Sequence, residues 1–360
     1  MKNLILFMPS IEIGGVEKNL FSIANYLEKR GIKVKLITSN KKYIKKLNKN
    51  IKIISINNNF FLNKKKYIKY FFCLILLFLE YCKNRQIVVF SFQANIYSVL
   101  LCKLLRIKII TRSNTSPKGW SQNTVKKNIF KFVIKFADLI IVNSLEFQRQ
   151  MKSIFKVNTK LIYNPLNKKE ILQTKTKKNL SNLRLKIINV ARFTEQKDHL
   201  TLLKAFKLLI KKNNNAFLII IGRGYEENNI KNYIYKNKLK KNVKLITNIQ
   251  NPYSYIKWAN VFVLTSKYEG LPNVLLEAMC LKKYIISTDC PTGPKEILNK
   301  GKYGDLVKIG DYKKIYNLLN NYKKNKYKIN KKIKGGFLSL NKYDFESNCD
   351  EYYNCVKKFL

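Results

Sequence analysis

Leu185-Lys186-Ile187-Ile188-Asn189-Val190-Ala191-Arg192-Phe193-Thr194-Glu195-Gln196-Lys197-Asp198 passes from an apolar run into a polar loop and ends on a residue suited to cap a helix. The run from Leu185 to Val190 reads as a buried strand. Asp198 stands at an N-cap position, because Leu202, Leu203, Phe206, Leu209 and Ile210 then recur at the spacing of one helix face. Strand, loop and helix together form the unit from which parallel α/β sheets are wound. Such sheets bind ligands outside the carboxyl ends of their strands, so Arg192 and Lys197 sit where a ligand is met. A planar guanidinium fork and a point charge on one loop suit a diphosphate.

The same alternation extends in both directions. Toward the C-terminus, strands are expected at 216–221, 243–246, 261–264 and 284–287, with a short last one at Leu306-Val307. Toward the N-terminus, Leu4-Ile5-Leu6-Phe7 reads as a strand and Gly14-Gly15 as a turn. Val16, Leu20, Ile23, Ala24 and Leu27 then mark a helix face closed by Gly31. Further strands fall at Ile32 to Leu36, 87–90, 107–110 and 139–142. The 360 residues suffice for two cores, and the expectation is α/β throughout, two doubly wound Rossmann-like domains facing a cleft. The boundaries are an N-terminal acceptor-side domain over 1–165, a polar, lysine-rich linker over 166–183 and a donor-binding domain over 184–335. Residues 336–360 read as a C-terminal helix and a candidate for packing back on the first domain.

Two more stretches of the second domain carry chemistry. Ile221-Gly222-Arg223-Gly224 ends a strand in a turn whose glycines allow close backbone approach to a ligand, a weak signal by itself. Tyr268-Glu269-Gly270-Leu271-Pro272-Asn273-Val274-Leu275-Leu276-Glu277-Ala278-Met279 follows another strand. Pro272 lies where a helix begins, so the backbone N–H groups of Asn273, Val274 and Leu275 are expected to form an anion site. Glu269 precedes that turn and Glu277 lies on the second helical turn, where carboxylates suit sugar or ribose hydroxyls; a plain surface-helix role for Glu277 stays open.

Composition narrows the classes. With 46% hydrophobic and 26% charged residues the chain is globular rather than disordered. Seven scattered cysteines without a C-x-x-C pair argue for free thiols in a reducing compartment and against a zinc site. No cleavable signal follows Met1, which points to a cytoplasmic protein. Lys and Arg number 71 against 21 Asp and Glu, a formal charge of +50. Biased composition and a functional basic surface are both open readings. An anionic membrane is favoured over nucleic acid as the partner, since the lysines form no single stripe and no nucleic-acid motif is present. Tyr67 to Leu79 is the most apolar stretch, too short to span a bilayer. As a helix it is either a core element or a face that dips into a membrane surface.

The glutamates Glu269 and Glu277, the Arg192…Lys197 loop, Gly222-Arg223-Gly224, Gly14-Gly15, Asn164-Pro165 and Asp289-Cys290-Pro291-Thr292-Gly293-Pro294-Lys295-Glu296-Ile297 together resemble glycosyltransferase family 4 (group 1), the retaining family of GT-B fold. The resemblance covers nearly all of the C-terminal domain. It implies that Arg192 and Lys197 hold the diphosphate of a nucleotide sugar, Glu277 the ribose and Glu269 the donor sugar. Gly14 and Gly15 would close over the phosphates, and front-face attack by the acceptor hydroxyl is the implied route. Many members place a histidine in the N-terminal domain, whereas His199 is the only one here and reads as a first-turn helix residue. No Asp-x-Asp, histidine cluster or cysteine pair offers a metal site, so neither metal nor other cofactor is expected. The Asp289 to Ile297 stretch resembles that of enzymes extending surface polysaccharides, which implies a glycan or lipid-diphosphate-linked oligosaccharide acceptor at the inner membrane face. The competing readings are a basic nucleic-acid-binding module and a GT-B sugar phosphorylase. A dehydrogenase is disfavoured, because Gly14-Gly15 is not G-x-G-x-x-G.

Overall fold

The computed structural model describes residues 3–12, 14–39, 44–56, 65–114, 124–176, 185–212, 214–247, 249 and 251–360. In chain order the elements are β1 (Asn3–Phe7), α1 (Gly15–Lys29), β2 (Val34–Thr38), β3 (Lys52–Ser55), α2 (Lys66–Lys83), β4 (Ile87–Ser91), α3 (Asn95–Leu104), β5 (Lys108–Arg112), α4 (Thr124–Ile134), β6 (Leu139–Val142), α5 (Leu145–Gln150) and β7 (Lys160–Leu161). They continue with α6 (Lys168–Gln173), β8 (Leu185–Val190), α7 (His199–Lys212), β9 (Ala216–Ile221), α8 (Glu227–Lys236), β10 (Val243–Ile246), α9 (Tyr253–Trp258) and β11 (Val261–Leu264). After these come α10 (Asn273–Cys280), β12 (Tyr284–Thr288), α11 (Pro294–Ile297), β13 (Asp305–Val307), α12 (Tyr312–Asn320), α13 (Lys326–Leu338) and α14 (Phe345–Lys357). Two compact units divide the chain, Met1–Pro165 with Phe345–Leu360, and Leu166–Asp344.

The first unit is a seven-stranded sheet in the order β3-β2-β1-β4-β5-β6-β7, with every pairing parallel. Parallel strands must be covered on both faces, which is why β4 is wholly buried and apolar from Ile87 to Phe90. The period of two divides β1. Leu4 and Leu6 enter a core with Leu20, Ile23 and Leu27 of α1 and with Tyr352 and Val356 of α14. Ile5 and Phe7 enter the opposite core with Cys73 and Leu77 of α2, Val99 of α3 and Val133 of α4. The helix α14 is tied down by polar contacts as well. Arg112, fully buried at the end of β5, donates from Nε to Tyr352 Oη at 2.9 Å and from Nη2 to Asn164 Oδ1 at 2.5 Å.

The second unit is a six-stranded parallel sheet in the order β10-β9-β8-β11-β12-β13. Leu185 and Ile187 of β8 pack with Leu202, Leu203 and Phe206 of α7, the face that the periodicity assigns. Both units are therefore doubly wound, and each has one switch point where the strand order reverses, between β1 and β4 and between β8 and β11.

Several boundaries differ from the sequence reading. The edge strands β3 and β7 were not expected, and neither was helix α6, which lies inside the stretch read as linker and packs on α10. Asn167 caps α6 by accepting from Glu170 N at 3.1 Å. Residues 177–184 of that stretch lie outside the described residues. The stretch 336–360 is not one helix: α13 ends at Leu338, and α14, which covers the first unit, starts at Phe345. Segment 67–79 is a helix with two characters. Cys73 and Leu77 are core, whereas Phe71 and Phe78 are exposed. Among the described residues no helix is long and apolar enough to cross a membrane, and all seven cysteines are free.

Candidate active site

The loops after β8 and β11 flank the switch point of the second sheet. After β8 a short 3-10 turn spans Glu195–Lys197, and Asp198 takes a left-handed conformation at φ 45°. Its carboxylate accepts from Thr201 N at 3.3 Å and Thr201 Oγ1 at 2.7 Å, so it caps α7 as the sequence reading expects. Among the described residues, three bonds accepted by backbone oxygens join this loop to the one after β11. Thr265 Oγ1 donates to Lys197 O at 3.0 Å, Lys267 N to Gln196 O at 2.8 Å and Gln196 Nε2 to Tyr268 O at 2.7 Å.

This bracing sets Lys197 against Glu269. Lys197 Nζ lies 2.5 Å from Glu269 Oε1, with 13% and 7% of the two side chains exposed. Ser266 Oγ donates to the same oxygen at 2.6 Å. Two charges withdrawn this far from water each need an opposite charge or strong hydrogen bonds, and here each supplies the other. Both contacts fall on Oε1, so Oε2 takes part in neither. Arg192 is exposed on the same loop and forms no ion pair among the described residues.

A Cβ on Gly222 would lie 1.9 Å from Ala191 O and 2.6 Å from the Phe193 ring. One on Gly224, at φ +153°, would meet Phe193 O at 2.2 Å. Their bareness lets the turn after β9 press against the loop that carries Arg192. Gly293 does the same on the other side: at φ +45°, an added Cβ would sit 1.9 Å from Gly270 O. Next to it Thr292 Oγ1 donates to Glu269 O at 2.5 Å. The segment after β12 thus clamps the Glu269-Gly270 turn.

Pro272 precedes α10 as expected, without a side-chain cap. Asn273 and Val274 are half-buried at the helix start. The third expected donor is engaged, since Leu275 N donates to Pro272 O at 3.0 Å in a tight first turn. Glu277 is buried and accepts from Tyr253 Oη at 3.3 Å, which excludes a role as a surface-helix residue. Burial, then the Glu277 charge, raises the Tyr253 pKa, keeping its proton available for that bond. His199 is buried in edge contact with Phe193, and neither ring nitrogen has a hydrogen-bond partner among the described residues. Burial, helped by the Lys197 charge, pushes its pKa down to about 3. Gly14 and Gly15 belong to the first unit, at the start of α1, with Gly14 in an extended conformation open to any residue. Among the described residues no cluster of His, Cys, Asp and Glu could hold a metal ion.

Sequence reasoning missed Ser266, Thr292 and Tyr253. Ser266 precedes one quoted motif and Thr292 lies within another without a role assigned to it, and what they bind is fixed by the neighbouring strands. Tyr253 lies 24 positions from Glu277 and leaves no local signal.

The site so built has relatives. Residues 171–335 match the family described as Glycosyl transferases group 1, and residues 13–170 match Glycosyltransferase Family 4. An uncharacterized glycosyltransferase of Methanocaldococcus jannaschii is 34% identical over 240 residues, which span 58% of this chain and 59% of that protein. The N-acetylgalactosamine-N,N'-diacetylbacillosaminyl-diphospho-undecaprenol 4-alpha-N-acetylgalactosaminyltransferase of Campylobacter jejuni is 27% identical over 326 residues, 86% of this chain and 87% of the relative. Anabaena HepE, crystallised with UDP and glucose, superposes with a TM-score of 0.80 at 16% identity, covering 99% of this chain and 100% of that one, a likeness of fold. With both units matched, and the Lys197–Glu269 pair at the switch point of the second, the chain belongs to the group 1 glycosyltransferases, enzymes of the GT-B type.

Proposed function

We propose that the protein is a retaining transferase that moves a hexosyl or N-acetylhexosaminyl group from a nucleoside diphosphate sugar to a glycan or lipid-diphosphate-linked acceptor. The reaction needs no metal or other cofactor and serves surface-polysaccharide synthesis on the cytoplasmic face of an anionic membrane. The observation that carries this reading is the buried Lys197–Glu269 pair beside the exposed Arg192. A lysine held only by a carboxylate is a ready partner for a stronger anion, and the diphosphate takes that place. Arg192 and Lys197 then hold the phosphates, and the start of α10 adds its backbone amides. Glu269, released from Lys197 but still held by Ser266, turns to the donor sugar, while Glu277, steadied by Tyr253, takes the ribose hydroxyls.

The acceptor hydroxyl attacks the anomeric carbon on the face that the diphosphate leaves. The new carbon–oxygen bond forms as the bond to phosphate breaks, and the hydroxyl proton passes to the departing phosphate oxygen. Charge building on that oxygen meets the two cations, which stabilise it in place of a metal ion. The lipid-linked acceptor and the nucleotide donor draw support from the names of the Campylobacter relative and the Anabaena complex.

A panel of nucleoside diphosphate sugars, scored for thermal stabilisation and slow hydrolysis and then for transfer to membrane extracts, tests the reading. One donor should raise the melting temperature and be turned over with EDTA present. If no nucleotide sugar stabilises the protein the donor assignment fails, and activity lost to chelator and restored by magnesium overturns the metal-free mechanism.

A further inference from the structure

The outer helices of a doubly wound domain ordinarily turn a polar face to water, as α8 does with Glu227, Asn228 and Lys231. Three helices of the first unit do not. Along α2, Phe71, Ile75 and Phe78 recur at spacings of four and three on the side away from core residues Cys73 and Leu77, and Phe71 is 61% exposed. Along α3, Tyr97, Leu100 and Leu104 point outward at spacings of three and four, and Leu104 is 81% exposed. Along α4, Val125, Ile129 and Phe132 continue the pattern, and Phe136 extends it just past the end of the helix.

These stripes are neighbours. The inward faces of α2, α3 and α4 share one core, α2 contacts α3 and α3 contacts α4, and the Tyr70 and Tyr97 rings meet at 6.0 Å across the first seam. Single exposed apolar residues are ordinary, whereas three adjoining stripes form a contiguous sheet of apolar surface, which marks an interaction site. Its charge chooses the partner. The three helices carry seven lysines and a single carboxylate, Glu80, which is buried and paired with Lys35 and Lys83. Lys127 and Lys131 lie beside the α4 stripe and the exposed Lys135 just beyond it. Lys83 and Lys103 are paired with Glu80 and Asp138, yet lysines still outnumber carboxylates, and an apolar layer bordered by such an excess of positive charge fits an interface that is oily beneath and negatively charged on top.

We infer that the outer face of α2, α3 and α4 docks on an anionic phospholipid bilayer, with the aromatic and aliphatic stripes entering the headgroup layer and the lysines meeting lipid phosphates. This deepens the proposed lipid-linked acceptor and rests on that reading, although the docking itself is measured without donor or acceptor.

The full chain is sedimented with vesicles of phosphatidylcholine alone and of phosphatidylcholine mixed with phosphatidylglycerol, at low and physiological salt. Wild type should bind the mixed vesicles and not the neutral ones. The exposed triple variant Phe71→Ser/Ile129→Ser/Phe132→Ser should lose at least about tenfold in binding, and Lys127→Glu/Lys131→Glu/Lys135→Glu should lose the preference for phosphatidylglycerol. Both should keep the wild-type melting curve and the same stabilisation by a nucleotide sugar, which separates failure of docking from failure of the transferase reading. Should the first variant fail to fold, Phe78→Ser alone serves, with a proportionate loss expected. Unchanged binding by the variants overturns the inference. So does a wild type that ignores vesicles, or one that is dimeric in gel filtration and becomes monomeric in the Phe71 variant, which would make the face an interface between copies.

Discussion

At the scale of single residues, the Lys197–Glu269 pair couples stability to function. Lys197→Ala should weaken donor binding tenfold or more, by loss of a charge-assisted contact of about 1.5–3 kcal/mol. It should also destabilise the fold by roughly 3 kcal/mol, because Glu269 is left buried without its cation. The double variant with Glu269→Gln should recover part of that stability, and a urea-denaturation cycle measures the coupling. Arg192→Ala, on an exposed residue, should cost donor affinity with little change in stability. Glu269→Gln should chiefly lower kcat, whereas Glu277→Ala should raise the donor KM; equal small effects in both would remove their roles. His199 gives a pH prediction. The unfolded imidazole takes up a proton near its ordinary pKa of 6.5, while the folded one stays neutral to about 3. The unfolded state therefore binds more protons between these values, and stability falls with falling pH by about 1.4 kcal/mol per unit from this group. His199→Leu should remove that contribution, so its stability relative to wild type should rise between pH 6 and pH 4, as equilibrium denaturation at each pH would reveal.

At the scale of elements, the loops are held by close backbone contacts that a methyl group would block. Gly222→Ala would force a carbon to within 1.9 Å of Ala191 O, so the loop carrying Arg192 must move. A loss of roughly 1–3 kcal/mol is expected together with weaker donor binding. A variant with wild-type stability and affinity would show that the approach is not needed. The same contacts explain what sequence could and could not disclose. Strands such as β4 and β12 are long apolar runs because they are covered on both faces, and they are legible for that reason. Strand β3, Lys-Ile-Ile-Ser, is a short edge whose exposure keeps it half polar, and β7 has only two residues; neither leaves a periodic trace. Arg192, Lys197, Glu269 and Glu277 stand out by type and position after strands. Their supports, Ser266, Thr292 and Tyr253, are ordinary residues whose meaning comes from partners far along the chain. In α2 the apolar run was plain, but which side faces the core depends on packing against α3.

At the scale of the molecule, a formal charge of +50 repels itself. Raising ionic strength from about 0.01 M to 0.15 M shortens the screening length from roughly 30 Å to 8 Å. The melting temperature should therefore climb by a few degrees in sodium chloride, and a flat or falling trend in calorimetry would mean that local ion pairs already balance the charge. A different consequence follows from α14, whose Tyr352 and Val356 complete the core of the first unit. Residues 345–360 leave the ribosome only after the whole of 166–344 has been made. The half that is translated first must wait, one side of its sheet covered by α1 but lacking α14, while the half translated later can close its own core. Order of synthesis and order of folding are thus reversed, and during that interval the nascent N-terminal half is the part that a chaperone would need to shield.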